Sequence, residues 1–436
     1  MSVYYLSDGA NDFLDSLRRE ILGGKKMTMT LREEALKLHM DNNGKIAVVS
    51  KVPIATRHDL AIAYTPGVAE PCKDIKEDKN LSFEYTCRGN MVAIITDGTR
   101  VLGLGNIGPE AAMPVMEGKA ALFKTFGDVD AVPVCLDTKD PDEFIRTVKL
   151  LQPNYAGVNL EDISSPKCYE IEDKLKEICD IPVFHDDQHG TAIACLSAVL
   201  GALRFVKKDI ATAKFVVNGC GAAGSAIGRL LVNMGAQNVI MVDRFGALYK
   251  GIDAKLDRIQ SYLATVTNKE HKQGTLADVA KGADVMIGAS APNVFTKEIM
   301  QSMADKAIVF ALANPVPETS YDAAKEAGVA VAGTGRSDRP NQVNNVTVFP
   351  GVFRGAIDVR ARAITEDMKV AAVYAIADLI DEKDLREDYV VPDAFDPRVA
   401  PAVAAAVAKV AIEKGLARKI VDPEVVRANT AKRIGR

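Results

Sequence analysis

Apolar and polar positions change their spacing twice along this chain, and those changes divide it into three stretches. Phe13, Leu14, Leu17, Ile21 and Leu22 recur at helical spacing over residues 11 to 22 before Gly23-Gly24, which predicts an amphipathic docking helix with a glycine stop. Thr30 and Glu33 make a capping-box pattern ahead of Leu31, Ala35 and Leu38, so a second helix is expected there. The first seventy residues thus read as a mostly helical lead-in.

From Met91 short apolar runs take over. Val92-Ala93-Ile94-Ile95 predicts a buried strand, Asp97-Gly98 a hairpin turn, and Val101 to Leu104 follows it. Strands are then predicted at 131–136, 156–160 and 181–184, alternating with helices at 142–151 and 167–179; such alternation implies a parallel sheet. A long apolar helix at 191–206 leads into a second alternating set, with strands at 214–218, 239–243, 284–288, 308–312 and 329–332. After Asn345 the pattern is helical, ending in an Ala-rich helix at 401–416 that is expected to pack back on the first domain. The fold class is therefore α/β with two domains. Residues 1–186 form the first, with a mostly parallel sheet; 187–345 form a Rossmann-type domain; 346–436 form a helical C-terminal segment.

Composition narrows the class of function. A chain of 436 residues is too long for one ordinary core, which agrees with two domains. Its formal net charge of -4 argues against a nucleic-acid groove or a polybasic membrane patch. The cysteines are odd in number, scattered and never spaced as CxxC, which speaks against a disulfide framework or zinc knuckle and for a reducing cytosol. Asp8, Asp12 and Asp15 at the start, and no apolar run of spanning length, point to a soluble cytoplasmic protein with no membrane partner.

Candidate chemistry lies just past the strand ends, where open α/β sheets collect their ligands. Gly219-Cys220-Gly221-Ala222-Ala223-Gly224 joins a predicted strand to a predicted helix, and Asp243 ends the next strand. In such a loop the first glycine makes the tight turn, the second admits a pyrophosphate, and the third packs helix on strand. Asp243 suits the free ribose hydroxyl of NAD, whereas Arg244 suits the extra phosphate of NADP; the reading leans slightly to NAD. Glu161 and Asp162, with Asp187 from the next strand end, offer three carboxylates to a hard cation such as Mg2+ or Mn2+. A solvated loop for the first two and an N-cap for Asp186-Asp187 are the bland alternatives. His185 and His189 invite a zinc reading, which the oxygen-rich surroundings disfavour. Lys119, at the edge of an apolar run, would serve as a base if burial depressed its pKa; most lysines are merely solvated. Arg100 offers a bidentate grip on a carboxylate, against the alternative of a surface arginine, and Tyr64 reads first as a half-buried turn tyrosine.

Taken together, Tyr64-Thr65-Pro66-Gly67-Val68, Thr96-Asp97-Gly98-Thr99-Arg100, Gly118-Lys119, Glu161-Asp162, His185-Asp186-Asp187-Gln188-His189-Gly190-Thr191, the glycine loop, Ala313-Asn314-Pro315 and Asn344-Asn345 resemble malic enzyme. The likeness runs from about residue 33 to the C-terminus and is to the short bacterial form, without a phosphotransacetylase-like extension. It implies metal-dependent oxidative decarboxylation of (S)-malate to pyruvate and carbon dioxide, with oxaloacetate decarboxylation, in a homodimer. By motif position it implies Lys119 as general base, Tyr64 as general acid and Asp186 as an acid beside the lysine. It further implies Glu161, Asp162 and Asp187 as metal ligands and Arg100, Asn314 and Asn345 at the substrate, Asn314 also reaching the cofactor. Cys220 stands where many relatives have alanine. Two rivals remain: a dehydrogenase that oxidises without decarboxylating, and a nucleotide-binding module without chemistry.

Overall fold

The computed structural model describes residues 29–435, so the predicted docking helix at residues 11 to 22 lies outside them. The chain separates into two compact units, divided between Ala47 and Val48. In the first, α1 (Leu31–Asn42) begins with the expected capping box: the Thr30 side chain accepts from the Glu33 amide, and the Glu33 carboxylate accepts from the Thr30 amide. No helix covers residues 43 to 56, so the lead-in is less helical than its sequence suggests.

The second unit starts with α2 (Arg57–Ala63) and α3 (Ala69–Glu77), then builds its first sheet. Here β1 (Met91–Thr96) is followed by α4 (Pro109–Gly127), β2 (Asp130–Cys135), α5 (Pro141–Leu151), β3 (Gly157–Leu160), α6 (Lys167–Ile178) and β4 (Val183–His185). The strand order is β2-β1-β3-β4, all parallel, with Val92 registered against Ala131 on one side and Gly157 on the other. That register explains why no hairpin forms at Asp97-Gly98: both edges of β1 are already paired. Instead Gly98 turns the chain, its carbonyl accepting from the Ile107 and Gly108 amides, and Val101 makes only a single bridge to Gly105.

A 21-residue helix, α7 (Asp186–Val206), links this sheet to the next. It starts five residues before the predicted 191, because His185 is its N-cap and the acids Asp186 and Asp187 suit the positive end of the helix dipole. Among the described residues it is the one helix long and apolar enough to cross a membrane, yet 83% of its most apolar window is buried inside the fold. Its apolarity serves the core.

The second sheet runs through β5 (Lys214–Asn218), α8 (Ala222–Asn233), β6 (Asn238–Asp243), β7 (Gly246–Ala247), α9 (Arg258–Val266), β8 (Val285–Gly288), β9 (Ile308–Ala311) and β10 (Val331–Thr334). Its order is β10-β9-β8-β5-β6-β7, parallel except for β7. In each sheet the strand order reverses at the first strand, β1 or β5, and there the carboxyl ends open a crevice.

Four helices complete the chain: α10 (Phe349–Asp358), α11 (Glu366–Ala377), α12 (Val399–Glu413) and α13 (Pro423–Arg433). They pack on one another and return to the first sheet through α10, which lies against α4. Phe123 of α4 meets Phe349 and Phe353 of α10 at ring centroid distances of 4.6 and 5.3 Å, and Phe184 of β4 meets Phe353 at 5.9 Å. All four rings are buried and draw their stability from apolar area removed from water. Phe123→Ala is therefore expected to destabilise the protein by about 3–5 kcal/mol in denaturant unfolding, without changing its secondary structure.

Candidate active site

Three carboxylates, Glu161, Asp186 and Asp187, converge on one ammonium at the carboxyl ends of β3 and β4. Lys119, on the buried face of α4, donates to Asp186 and lies 3.0 Å from Glu161. Its Nζ also sits 4.0 Å over the Phe349 ring, so the aromatic cluster of the core is one wall of the site. Glu161 is steered by Asn159 of β3, whose Nδ2 donates to Oε2 at 2.8 Å. Asp162 adopts a left-handed backbone conformation, φ 54°, which turns the loop after β3 so that its amide donates to Asp187 Oδ2 at 2.8 Å. Its carbonyl accepts from the Arg100 amide at 2.9 Å, tying the β1 and β3 loops together.

Glu161, Asp162 and Asp187 each present an oxygen within 4.8 Å of the others. The donor set is all carboxylate, and the nearby acids outnumber Lys119, so hardness and charge both fit a Mg2+- or Mn2+-type cation. Burial pushes the Glu161 carboxyl up to about 7, with Asp187 and Asp186 adding to it and Lys119 opposing. Burial likewise raises Asp186. The condition under which the sequence makes Lys119 a base, a pKa depressed by burial, is not met: burial alone would lower it, but Asp186 and Glu161 outweigh burial and hold the ammonium above its ordinary range. Lys119 can act as a base only when those carboxylates are neutralised.

The cluster opens into a cavity of about 840 Å³ that also reaches the second sheet. Arg100, Glu161, Asp162, Asp187, Gly221, Ala222, Ala223, Asn314 and Asn345 all line it. Asn345 Nδ2 donates to Asp186 Oδ2 at 3.0 Å, and Thr191 Oγ1 donates to Asn345 Oδ1 at 3.3 Å, so this amide is fixed against the acid cluster. The glycine loop has the shape a pyrophosphate needs. Gly219 has φ 108°, a Cβ at Gly224 would lie 1.9 Å from the Gly219 carbonyl oxygen, and a Cβ at Gly221 would meet nothing within 4 Å. Cys220 is buried and its thiol points to the Val242 carbonyl, 3.6 Å away.

Eight predicted residues are not part of the cavity lining: Lys119, Asp186, Gly219, Cys220 and Gly224, described above, and Tyr64, Asp243 and Arg244. Asp243 ends β6, where its carboxylate accepts from Gln260 Nε2 at 2.6 Å and from the Arg244 amide at 2.8 Å. The Arg244 guanidinium lies 4.8 Å over the Phe245 ring. Tyr64 caps α2 and is 66% exposed, more open than a half-buried turn tyrosine. The histidines do not complete a zinc set. His189 binds Glu172 at 2.9 Å, and burial, aided by Lys369 and against Glu172, pulls its pKa down to about 3. Sequence reasoning passed over Asn159, Glu172, Gln260 and Lys369; only Gln260 carried a local signal, as the fourth residue of a capping box with Asp257.

A side chain at Gly221 has room in the fold but projects where a dinucleotide would lie. Gly221→Leu is expected to keep the circular dichroism spectrum and weaken reduced-dinucleotide binding, read by fluorescence titration, at least tenfold; unchanged affinity would remove the loop from the cofactor site.

Comparison with known proteins agrees with this geometry. Residues 43–176 match the model of the malic enzyme N-terminal domain, and residues 188–412 match that of the malic enzyme NAD-binding domain. The chain is 56% identical over 404 residues to the bifunctional malic/malolactic enzyme of Bacillus subtilis (strain 168), covering 93% of this chain and 98% of that protein. It is 52% identical to the NAD-dependent malic enzyme of Geobacillus stearothermophilus, covering 87% of this chain and 79% of that one. The crystal structure of malic enzyme from Pyrococcus horikoshii Ot3 superposes with a TM-score of 0.90 at 46% identity, covering 93% of this chain and 96% of that one. With both domains matched in order over most of its length, the chain belongs to the malic enzyme family.

Proposed function

We propose that the protein oxidatively decarboxylates (S)-malate to pyruvate and carbon dioxide, reducing a nicotinamide dinucleotide. The observation that carries this reading is the buried lysine among clustered carboxylates, opening into the same cavity as the dinucleotide loop. Glu161, Asp162 and Asp187 would hold a divalent cation, Mg2+ or Mn2+, whose chemistry is Lewis-acid polarisation of the C2 oxygen, while the dinucleotide serves as hydride acceptor. Arg100 grips a malate carboxylate, and Asn314 and Asn345, which line the same cavity, orient the substrate. Lys119 takes the C2 hydroxyl proton, helped by Asp186, once charge on the surrounding acids is balanced. The resulting oxaloacetate loses carbon dioxide from the carboxylate β to its ketone, so added oxaloacetate is also a substrate. Tyr64 is assigned the protonation of C3 by the family resemblance alone, since its ring is exposed and outside the cavity lining.

NAD is favoured over NADP because Gln260 holds the Asp243 carboxylate at the end of β6, where it accepts a ribose hydroxyl and repels a phosphate. Relatives named for each cofactor exist: the Geobacillus enzyme is NAD-dependent, while one of Escherichia coli (strain K12), 47% identical, is NADP-dependent. The two separate sheets support a division into a substrate and metal domain, 1–186, a dinucleotide domain, 187–345, and the helical segment 346–436. A cytoplasmic homodimer completes the proposal. Its support is apolar surface, with Val48, Val49, Ile54, Leu60 and Ile62 all exposed at the start of the second unit.

The test is nicotinamide reduction with (S)-malate and Mn2+, with pyruvate assayed in parallel. Equal yields of both, lost on chelation, are expected, and Lys119→Ala is expected to lower turnover about 10³-fold while cofactor binding persists. Reduction without pyruvate would mean a simple dehydrogenase, and near-normal turnover of the lysine variant would remove it as the base.

A further inference from the structure

Behind the carboxylate cluster runs a chain of buried polar side chains that the reaction itself does not use. Lys369 of α11, 1% exposed, donates to Glu366 at 2.6 Å and to His189 Nδ1 at 3.0 Å. With Nδ1 accepting, His189 carries its proton on Nε2 and donates to Glu172 of α6 at 2.9 Å. Glu172 also accepts from Lys176 at 2.6 Å, from the His185 amide at 3.1 Å and from Gln188 Nε2 at 3.2 Å. The same Gln188 nitrogen donates to His185 Nδ1 at 2.9 Å, which leaves the His185 proton on Nε2, 3.3 Å from Asp187 Oδ2. Lys369 Nζ and Gln188 Nε2, each facing an Nδ1, thus set the tautomers of both histidines.

We propose that Lys369 is a positioning residue for the divalent-cation site: through His189, Glu172, Gln188 and His185 it fixes which face of Asp187 is turned toward Glu161 and Asp162. The chain ties together α6, α7 and α11, and Glu366 extends it to Asn233 of the dinucleotide domain at 3.1 Å. Partners behind a metal ligand set its orientation, and removing one weakens metal binding about 10–100-fold. A lysine packed only to fill space would have no such effect on metal affinity.

This inference rests on the proposed metal site, and the experiment separates the two. Mn2+ binding is measured directly, by the loss of the free-ion paramagnetic resonance signal, in the full-length protein without substrate. Wild-type protein that binds no Mn2+ would overturn the metal site itself. Given wild-type binding, Lys369→Met is expected to weaken Mn2+ at least tenfold with reduced-dinucleotide affinity unchanged, and Gln188→Met to do the same. The double variant is expected to lose no more than the weaker single one, because both break one chain; losses that multiply would overturn it. Glu366→Gln changes a side chain that is 40% exposed and so keeps the fold even if Lys369→Met does not. It is expected to weaken Mn2+ binding measurably, by less than the tenfold expected of Lys369→Met. Mn2+ affinity equal to wild type in Glu366→Gln, or in a folded Lys369→Met, would contradict the proposal.

Discussion

Lys119 carries the charge on which the site depends. It is 8% exposed, yet it stands against Glu161, Asp186 and Asp187, which together exceed its single positive charge. An isolated charge would not tolerate such burial, and removing one partner of a buried pair commonly costs about 3–5 kcal/mol. Here the acids hold the lysine charged and the lysine offsets part of their repulsion, but not all of it. The remainder is what suits the cluster to a divalent cation. The fold brings these groups together from three places: a helix face, the end of β3, and the first turn of α7 where it leaves β4.

The architecture explains why that balance holds. The strand order places the β1 and β3 ends side by side, so the loop carrying Arg100 is bonded to the loop carrying Asp162. The second sheet repeats the arrangement at β5 and β8, and one cavity spans both crevices. The C-terminal helices close the structure from behind. Phe349 of α10 forms part of the lysine's wall, and Lys369 of α11 ends the polar chain that reaches Asp187. These late residues therefore act on chemistry built mostly from the first half of the chain.

Much of this was legible in the sequence where the cause is local. The Thr30 capping box, the alternating strands and the glycine loop each depend on neighbours within a few residues, and each formed as read. Placing both acid pairs after strands was enough to gather Glu161, Asp162 and Asp187. The misreadings have non-local causes. Asp97-Gly98 carries a good hairpin signal, but both edges of β1 are taken by distant strands. Apolar neighbours suggested a depressed Lys119, but acids some 42 and 67 positions away decide its charge. Lys369 meets His189 across 180 positions, and nothing in either local pattern announces the contact.

The account stands on the claim that three carboxylates form one cation site controlled by their excess charge over Lys119. The most direct measurement is a Mn2+ titration followed by paramagnetic resonance, comparing wild type with Glu161→Gln, Asp162→Asn and Asp187→Asn. One ion per chain in the wild type, with binding lost or weakened at least tenfold in each variant, is the predicted result. Wild-type affinity in any one of the three would contradict it.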